Sequence, residues 1–256
     1  METLMLVMGQ AARGRDAEMN DWYTWVHIRD VMRLPGSISV QRFSRGSVQP
    51  ARANCFGGHA WDYLTLYEVG DRQACTKGHQ NDLFTDRMPI SSAFDMETFY
   101  EGYFDPLPTG DAFSNETADA PVLLVAFDTV ERSDGPTATN ALAARLANLP
   151  GLRGAHAFAF SSEQMLSLTP PNRNVLVCHL ADISLAVAAW DRLVPELPAM
   201  VPGLAIETLS ASVYMPLMRR LPASHVLSAP PEEEAIAVAM RRAMADRVHP
   251  PSAAAG

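Results

Sequence analysis

Three side chains that could transfer protons lie close together in one predicted helix near the start of the chain: Tyr23, His27 and Asp30. Because an α-helix has about 3.6 residues per turn, side chains three or four positions apart are neighbours, so His27 can contact both of the others. A carboxylate beside an imidazole fixes its tautomer and raises its basicity, which would suit His27 to proton transfer near neutral pH. A structural role, in which Asp30 only holds His27 and Tyr23 belongs to the core, is the commoner meaning of such a pair.

Arg42 is a further candidate, as a partner for negative charge on a substrate. It lies in a predicted strand on the same face as Ile38 and Val40, because alternate residues of a strand share a face. An arginine on an apolar face can bind a carboxylate or an enolate. It can equally pair with Asp30 or Glu68, and the sequence leaves both roles open.

Aromatic and histidine side chains near these residues could line a pocket. Tyr63 and Tyr67 alternate on one face of a predicted strand, and Trp22 lies beside the candidate residues of the helix. His79 follows Gly78 in a segment that could move over a ligand. We take Trp22, Tyr63, Tyr67 and His79 as candidate substrate-binding residues, although core packing or solvation is the commoner role of such side chains.

The chain contains two similar halves. Leu34-Pro35-Gly36 recurs 115 residues later as Leu149-Pro150-Gly151, and the segment 104–107, FDPL, has a counterpart 110 residues further on in 214–217, YMPL. A slowly shrinking offset is typical of a duplication followed by small loop deletions. We therefore predict two related units and a C-terminal segment, which are residues 1–110, 119–221 and 222–256.

Each half has the pattern strand, helix, strand, strand, helix, strand, which is the βαββαβ order of a ferredoxin-like unit. The predicted elements of the first half are 4–8, 16–33, 37–43, 61–69, a helix within 71–87, and 98–104. Those of the second half are 121–130, 138–149, 152–160, 174–180, 183–197 and 204–214, and a C-terminal helix over 232–247 follows. One face of each sheet needs a cover, so we predict an α+β fold whose two sheets pack face to face as a barrel within one chain.

The candidate chemistry is confined to the first half. At the offset of 115 residues, Tyr23 corresponds to Ala138, His27 to Leu142, Asp30 to Arg145 and Arg42 to Ala157. The turn between helix and strand is kept in both halves, whereas these groups are not. This asymmetry favours a chemical role for them, because only one of two fused copies needs a site.

The first half also resembles a known family. The segments 20–23 (NDWY), 26–31 (VHIRDV), 34–36 (LPG) and 41–43 (QRF) resemble an EthD-like domain of the dimeric α+β barrel superfamily, and the strand 61–69 is similar to the family's third strand. The resemblance covers most of residues 1–107, whereas the second half matches in element order only. It implies two ferredoxin-like units that form a barrel, with ligands bound between sheet and helices. Relatives in the superfamily include cofactor-free polyketide cyclases, muconolactone-type isomerases, small monooxygenases and haem-degrading enzymes.

Composition excludes several classes of function. The 256 residues carry a net charge of −9, and an acidic surface repels phosphate backbones, so we expect no nucleic-acid partner. No apolar run approaches the roughly 20 residues that span a bilayer, so we expect no membrane partner. The chain lacks the motifs of nucleotide, zinc-protease and serine-hydrolase sites. Three cysteines without a CxxC pair, Cys55, Cys75 and Cys178, fit reduced thiols in the cytoplasm and predict no metal site.

These observations predict a cofactor-independent acid–base enzyme for a small apolar, aromatic or polyketide-like molecule. In this hypothesis His27 is the base or acid, Asp30 orients it, and Tyr23 and Arg42 act as second proton donor and oxyanion partner; lyase, dehydratase, cyclase and isomerase chemistry all fit. One alternative is a non-catalytic binding or accessory protein that uses the same pocket. The other is a haem- or oxygen-handling enzyme with His27 as axial ligand. The apolar residues of the first helix also permit a homodimer.

Overall fold

The computed structural model describes residues 3–51, 59–108, 117–164, 172–228 and 230–248. Within these ranges the strands are β1 Thr3–Gly9, β2 Ser37–Arg45, β3 Tyr63–Val69, β4 Tyr100–Pro106, β5 Val122–Thr129, β6 Leu152–Phe160, β7 Asn174–Leu180 and β8 Leu204–Pro222. The helices are α1 Asp16–Trp22, a π-helical turn Tyr23–His27, α2 Ile28–Met32, α3 Arg72–Asp82, α4 Gly135–Leu146, α5 Ile183–Leu193, α6 Leu197–Met200, α7 Ala223–Leu227 and α8 Pro231–Val248. The predicted elements agree with these in type and order.

The strands form one closed antiparallel barrel in the order β1, β3, β2, β8, β5, β7, β6, β4. The order is β4-β1-β3-β2 within the first half and β8-β5-β7-β6 within the second, so corresponding strands occupy corresponding places. The prediction that one chain completes the barrel is confirmed. The inner faces of the two halves pack on each other inside the barrel, as expected, but they belong to one continuous sheet, because the pairs β2–β8 and β4–β6 join the halves edge to edge. This pairing removes the unpaired edges that two open sheets would expose.

Strand β8 holds the two halves together. It is 19 residues long, whereas the repeat predicted a strand that ends at Tyr214. Its first part pairs with β5 as far as Tyr214, and its last part pairs with β2 from Tyr214 to Pro222. The additional residues therefore cover the edge of the first-half sheet.

Side chains alternate between the barrel interior and the helix-covered outer face of the strands. The interior is an apolar cluster that includes Leu6, Phe43, Phe104, Leu124 and Val177. The elements α1, the π turn and α2 follow one another directly and together form what we call the first helix. Two further clusters lie between the strands and the helices, one under the first helix and one under α4 and α5. The barrel thus separates the outer faces of the two halves, and each half has its own space between sheet and helices.

The repeated LPG tripeptides form the same turn. Gly36 and Gly151 both have a φ of 87°, a left-handed conformation that glycine adopts without strain. A Cβ atom would lie 2.4 Å from the carbonyl oxygen of Asp71 at Gly36, and 2.6 Å from that of Asp182 at Gly151. Asp71 and Asp182 are the N-cap residues of α3 and α5. In each half the turn therefore lies directly against the start of the second helix.

Several predicted features fall outside the described residues. They are Cys55, the linker residues 109–116 and the tail from residue 249. Cys75 and Cys178 are buried free thiols. In the part of the chain that the structure describes, no helix is long and apolar enough to cross a membrane, and no group of three or more His, Cys, Asp or Glu residues could hold a metal ion.

Candidate functional site

A cavity of about 180 Å³ lies between the first-half sheet and the helices that cover it. The sequence predicted a ligand site in this layer. Three of the lining side chains, His27, His79 and Glu101, carry an imidazole or a carboxyl group. The rest of the lining is aromatic or aliphatic and consists of Val7, Trp22, Tyr23, Leu83, Phe84, Ile90, Phe94, Met96 and Phe99.

The first helix departs from α-helical geometry where it meets the cavity. In the turn Tyr23–His27 the amide of Ile28 donates a hydrogen bond to the carbonyl of Tyr23, five residues earlier. Such π turns insert a residue into an α-helix and are frequent at functional sites. The ring of His27 consequently contacts both Trp22 and Tyr23, with ring centroids 4.8 Å apart in each pair. In a regular α-helix, Trp22 and His27 would point in different directions.

His27 lines this cavity, and one of its two ring nitrogens, Nδ1, is buried without a polar partner among the described residues. Burial lowers the pKa of His27 to about 3, and the positive charges of His79 and Arg42 act in the same direction. The predicted increase in basicity is therefore wrong, because desolvation disfavours the imidazolium. At neutral pH the ring is neutral and can donate or accept a hydrogen bond.

The predicted pair of His27 and Asp30 is wrong, because the carboxylate of Asp30 pairs with an arginine and not with the imidazole. Its carboxylate is 1% exposed and accepts a hydrogen bond from Arg241 of α8, and Arg33 lies 3.7 Å from the same oxygen. Burial raises the pKa of Asp30 to about 6, although both arginines oppose this shift. The helical spacing could not reveal this pair, because Arg241 is 211 residues away along the chain.

Glu101 is the candidate residue that the sequence analysis missed. It lies on β4 opposite Val7, and its Oε1 atom is buried without a hydrogen-bond partner in the described ranges. Burial raises the pKa of Glu101 to about 8, so acid and carboxylate are both populated slightly above neutral pH. The sequence did contain a signal. Phe99, Glu101 and Tyr103 share one face of the predicted strand, and a lone charge on an apolar strand face indicates a site or a buried pair.

Of the other predicted site residues, Trp22, Tyr23 and His79 line the cavity. The indole Nε1 of Trp22 donates a hydrogen bond of 3.2 Å to the carbonyl of Pro89, which fixes the ring. Burial lowers the pKa of His79 to about 4, with Asp82 opposing, and its Nδ1 lacks a partner in the part described. Both histidines are therefore neutral hydrogen-bonding groups at neutral pH.

Arg42, Tyr63 and Tyr67 lie behind the cavity wall. Arg42 is 1% exposed, and its guanidinium carbon is 4.4 Å from the ring centre of Tyr23 and 5.1 Å from that of Tyr63. The hydroxyl of Tyr67 is 3.5 Å from that of Tyr23, and the hydroxyl of Tyr63 donates to Asp16 at 2.9 Å. The prediction that Arg42 contacts a substrate anion is therefore wrong, because its side chain does not line the cavity. Its guanidinium supports the ring of Tyr23 from behind by a cation–π contact.

The corresponding space of the second half is filled with apolar side chains. Ala138 and Leu142, which replace the tyrosine and the histidine, are fully buried in the core under α4 and α5. At the offset of 110 residues, Glu101 corresponds to Ala211, which is also buried there. In the described residues, the second half therefore has no counterpart of the cavity residues His27 and Glu101 at these positions.

The lining could bind a neutral, flat ligand and exchange a proton with it. Aromatic rings provide contact area, and the two neutral imidazoles can hydrogen-bond to an oxygen of the ligand. Glu101 is the group that can accept a proton, and the lining residues that the structure describes include no arginine or lysine. A ligand with a carboxylate would therefore lack a cationic partner.

Comparison with known proteins identifies the fold. No protein-family model and no curated protein matches the chain. An anthrone oxidase-like protein of known structure is similar over 89% of this chain and 95% of its own, with a TM-score of 0.59 and 15% identity. A candidate monooxygenase from Fusobacterium nucleatum is similar over 86% of this chain and 96% of its own, with a TM-score of 0.52 and 10% identity. The chain therefore shares the fold of these two proteins. At these identities the likeness extends to the fold alone.

Proposed function

We propose that this protein is a cofactor-independent acid–base enzyme that removes a proton from a small, neutral, largely apolar aromatic molecule. The observation that carries the proposal is the carboxylate of Glu101, which has an unpartnered buried oxygen and a pKa raised to about 8 in an otherwise apolar cavity. A group is an efficient general base when its pKa lies near the working pH. Lyase, dehydratase, cyclase and isomerase reactions all begin with such a step.

In this proposal Glu101 replaces His27 as the base. The pKa values of about 3 and about 4 for His27 and His79 make both histidines weak bases, but suit them to hydrogen-bond an oxygen on which negative charge develops. Tyr23 and Trp22 supply rings that hold the substrate in the plane where its acidic C–H or O–H reaches the carboxylate.

The substrate class follows from the lining. A carboxylate without nearby cations repels anions, and aromatic walls favour flat rings, so the ligand is a neutral aromatic or polyketide-like molecule with at least one oxygen. An oxygen next to the acidic C–H would accept the hydrogen bond of an imidazole. The product of proton removal is then a stabilised enolate or phenolate.

An oxygen-dependent reaction is the second candidate. The two similar structures with TM-scores above 0.5 are named as an anthrone oxidase-like protein and a candidate monooxygenase. Such chemistry can start from the same deprotonation, because a carbanion formed beside an aromatic ring can be oxidised by dissolved oxygen. The two candidates differ only in what reacts with the deprotonated substrate.

Binding without catalysis and haem chemistry remain the alternatives to test. A binding protein would use the same walls, and Glu101 would then serve as a hydrogen-bond acceptor. The residues fit haem poorly, because the described part of the lining offers no arginine or lysine to pair with two propionate groups. A Soret band that develops when haem is added to the purified protein would instead show that the chain binds haem.

We also propose that the chain is an EthD-like tandem duplication. The motifs of the first helix and of β2 support the EthD-like assignment, and the equal strand order of the two halves supports the duplication. The identical φ values of Gly36 and Gly151 support it as well. In this view the second half is a scaffold that closes the barrel.

Proton abstraction can be tested before the natural substrate is known. Anthrone, 1-indanone and 2-tetralone are each a ketone fused to an aromatic ring, with an acidic C–H whose removal gives an enolate. The purified protein is therefore incubated with each in D2O under nitrogen, and deuterium incorporation is followed by NMR. We expect exchange above background with at least one of them, and loss of about 100- to 10,000-fold in E101Q. The matched control is E97Q, which removes an exposed carboxylate close by in sequence.

The outcomes separate the candidates. Exchange that survives in E101Q would refute the role of Glu101. Binding of all three compounds without exchange in any of them would favour a non-catalytic binding protein. Oxygen uptake when the same mixtures are exposed to air would favour the oxygen-dependent reaction.

A further inference from the structure

The C-terminal helix α8 lies across the first helix, next to the cavity. It packs against the π turn, and Met240 and Met244 contact the buried apolar cluster beneath the first helix. Glu233 and Glu234 pair with the guanidinium of Arg29 at 2.6 and 3.2 Å. The helix is not part of the barrel, yet it is fixed to one wall of the candidate site.

Arg241 of α8 contacts both walls of the cavity. Its Nη2 atom donates a hydrogen bond to Asp30, on the helix that forms one wall. Its Nη1 atom lies 3.4 Å from the carbonyl oxygens of Asp86 and Arg87, in the loop that follows α3 and forms the opposite wall. One guanidinium thus joins the helix to the loop.

That loop carries the residue at the mouth of the cavity. Phe84 lines the cavity, is 66% exposed and has a φ of 63°, which is unusual for a bulky side chain. The backbone of Leu83 pairs with that of Met88, and the side chain of Arg87 pairs with Asp82 at 3.2 Å. A strained residue keeps its conformation only when its surroundings hold it there.

We propose that Arg241 is a positioning residue of the cavity: it fixes the separation between the helix that carries His27 and the loop that carries Phe84, and it thereby controls ligand access. This rests on the proposed function only in taking the cavity as the ligand site. A guanidinium can bind a carboxylate and two carbonyls at once because its donors form a planar fork, which an ammonium lacks. Lysine at this position should therefore be a partial substitute.

Asp30 gives this contact a dependence on pH. The charged groups that act on Asp30 are Arg33, which follows α2, and Arg241 and Glu234 of α8. Helix α7 also packs against α2 and carries the exposed His225. Because burial raises the pKa of Asp30 to about 6, the carboxylate is charged at pH 7 and becomes protonated at pH 5. The contact with Arg241 should weaken over this range.

Protonation of Asp30 should stabilise the folded chain, so unfolding would not explain a loss of ligand affinity at low pH. A group whose pKa is raised by folding holds its proton more tightly in the folded chain than in the unfolded chain. Protonation of Asp30 between about pH 6 and pH 4 therefore adds to the free energy of unfolding, even though it removes the charge that holds Arg241. Loss of ligand affinity in this range thus has a local cause.

The test uses the binding of 1-naphthol, which is neutral from pH 5 to pH 7, measured by quenching of tryptophan fluorescence in the full chain. At pH 7 we expect R241Q to raise the Kd about fivefold or more, since only a fraction of molecules keeps the binding-competent arrangement. Amide hydrogen exchange should become faster in both 23–32 and 83–88. R242Q, which alters the exposed neighbouring arginine on α8, is the matched control and should behave like the wild type.

The pH series provides the decisive comparison. We expect the Kd of the wild-type chain to rise as the pH falls from 7 to 5, whereas the Kd of R241Q and of D30N stays level. If R241Q does not fold, R241K serves in its place and should show a smaller increase. Wild-type affinity in R241Q, or faster amide exchange across the whole barrel, would overturn the proposal. None of these measurements needs turnover, so failure of the proton-transfer proposal leaves them interpretable.

Discussion

The amide of Ile28 donates its hydrogen bond to the carbonyl of Tyr23, and this i to i−5 bond decides where His27 points. The extra residue in the turn brings the imidazole against Trp22 as well as Tyr23, at the wall of the cavity. The same stretch leaves Asp30 facing α8, where it binds Arg241. His27 and Asp30, which the sequence predicted to pair, therefore contact different residues.

His27 should contribute to rate and leave the pH dependence unchanged. We expect H27A to lower deuterium incorporation by about 100-fold, as loss of a hydrogen bond to developing negative charge does. The rate should rise with pH to a plateau with an apparent pKa of about 8, that of Glu101, in both proteins. A step near pH 6.5 that disappears in H27A would instead identify His27 as the base. Thermal unfolding should stay within about 1–2 kcal/mol of the wild type.

Glu101 should make stability depend on pH. Since burial raises the pKa of Glu101 to about 8, its contribution to stability is fully present below the ordinary pKa of a glutamate and is lost as the pH rises through 8. We expect E101Q to match the wild type near pH 4 and to exceed it by about 1–3 kcal/mol at pH 9, because the amide removes a buried charge. Urea unfolding at several pH values measures this difference. A constant difference between the two proteins across the series would contradict it, and E97Q should show no trend.

Phe84 should carry strain that glycine relieves. Because its φ is 63°, F84G is expected to keep or raise stability by up to about 1 kcal/mol, whereas F84A keeps the strain and loses the contacts of the ring. Both variants should bind 1-naphthol with faster association, since a side chain at the mouth is removed. Equal unfolding midpoints for F84G and F84A would show that the backbone there is not strained.

The two LPG turns should tolerate no side chain on glycine. G36A and G151A are each expected to lower the free energy of unfolding by about 2–3 kcal/mol, because the added Cβ meets a helix N-cap carbonyl in a left-handed conformation. Gly14 offers the control, with a φ of 75° and nothing within 4 Å of an added Cβ, so G14A should cost only the conformational strain. If G14A costs as much as the other two, the close approach to the N-caps does not contribute.

The sequence by itself determined the type and the order of the strands and of the main helices. Strand alternation, helix periodicity and the LPG turns are local signals, and each depends on residues close together in the chain. The strands 152–160 and 174–180 were predicted with the bounds they have in the structure. The repeat also indicated which half lacks the candidate groups: Ala138, Leu142 and Ala157 belong to the apolar core of the second half, and Arg145 is exposed.

The tertiary structure decided which charged groups meet. The partner of Asp30 comes from α8, and the apolar surroundings of Glu101 come from the first helix, α3 and the loop after it, so neither could be read from spacing along one element. The edge pairing of β2 with β8 also required a strand longer than the repeat predicted. The pKa values of His27 and Glu101 depend on desolvation, which is a property of all the surrounding elements together. A local pattern can place an imidazole on a helix, but only the packing around it decides whether that imidazole can carry a charge.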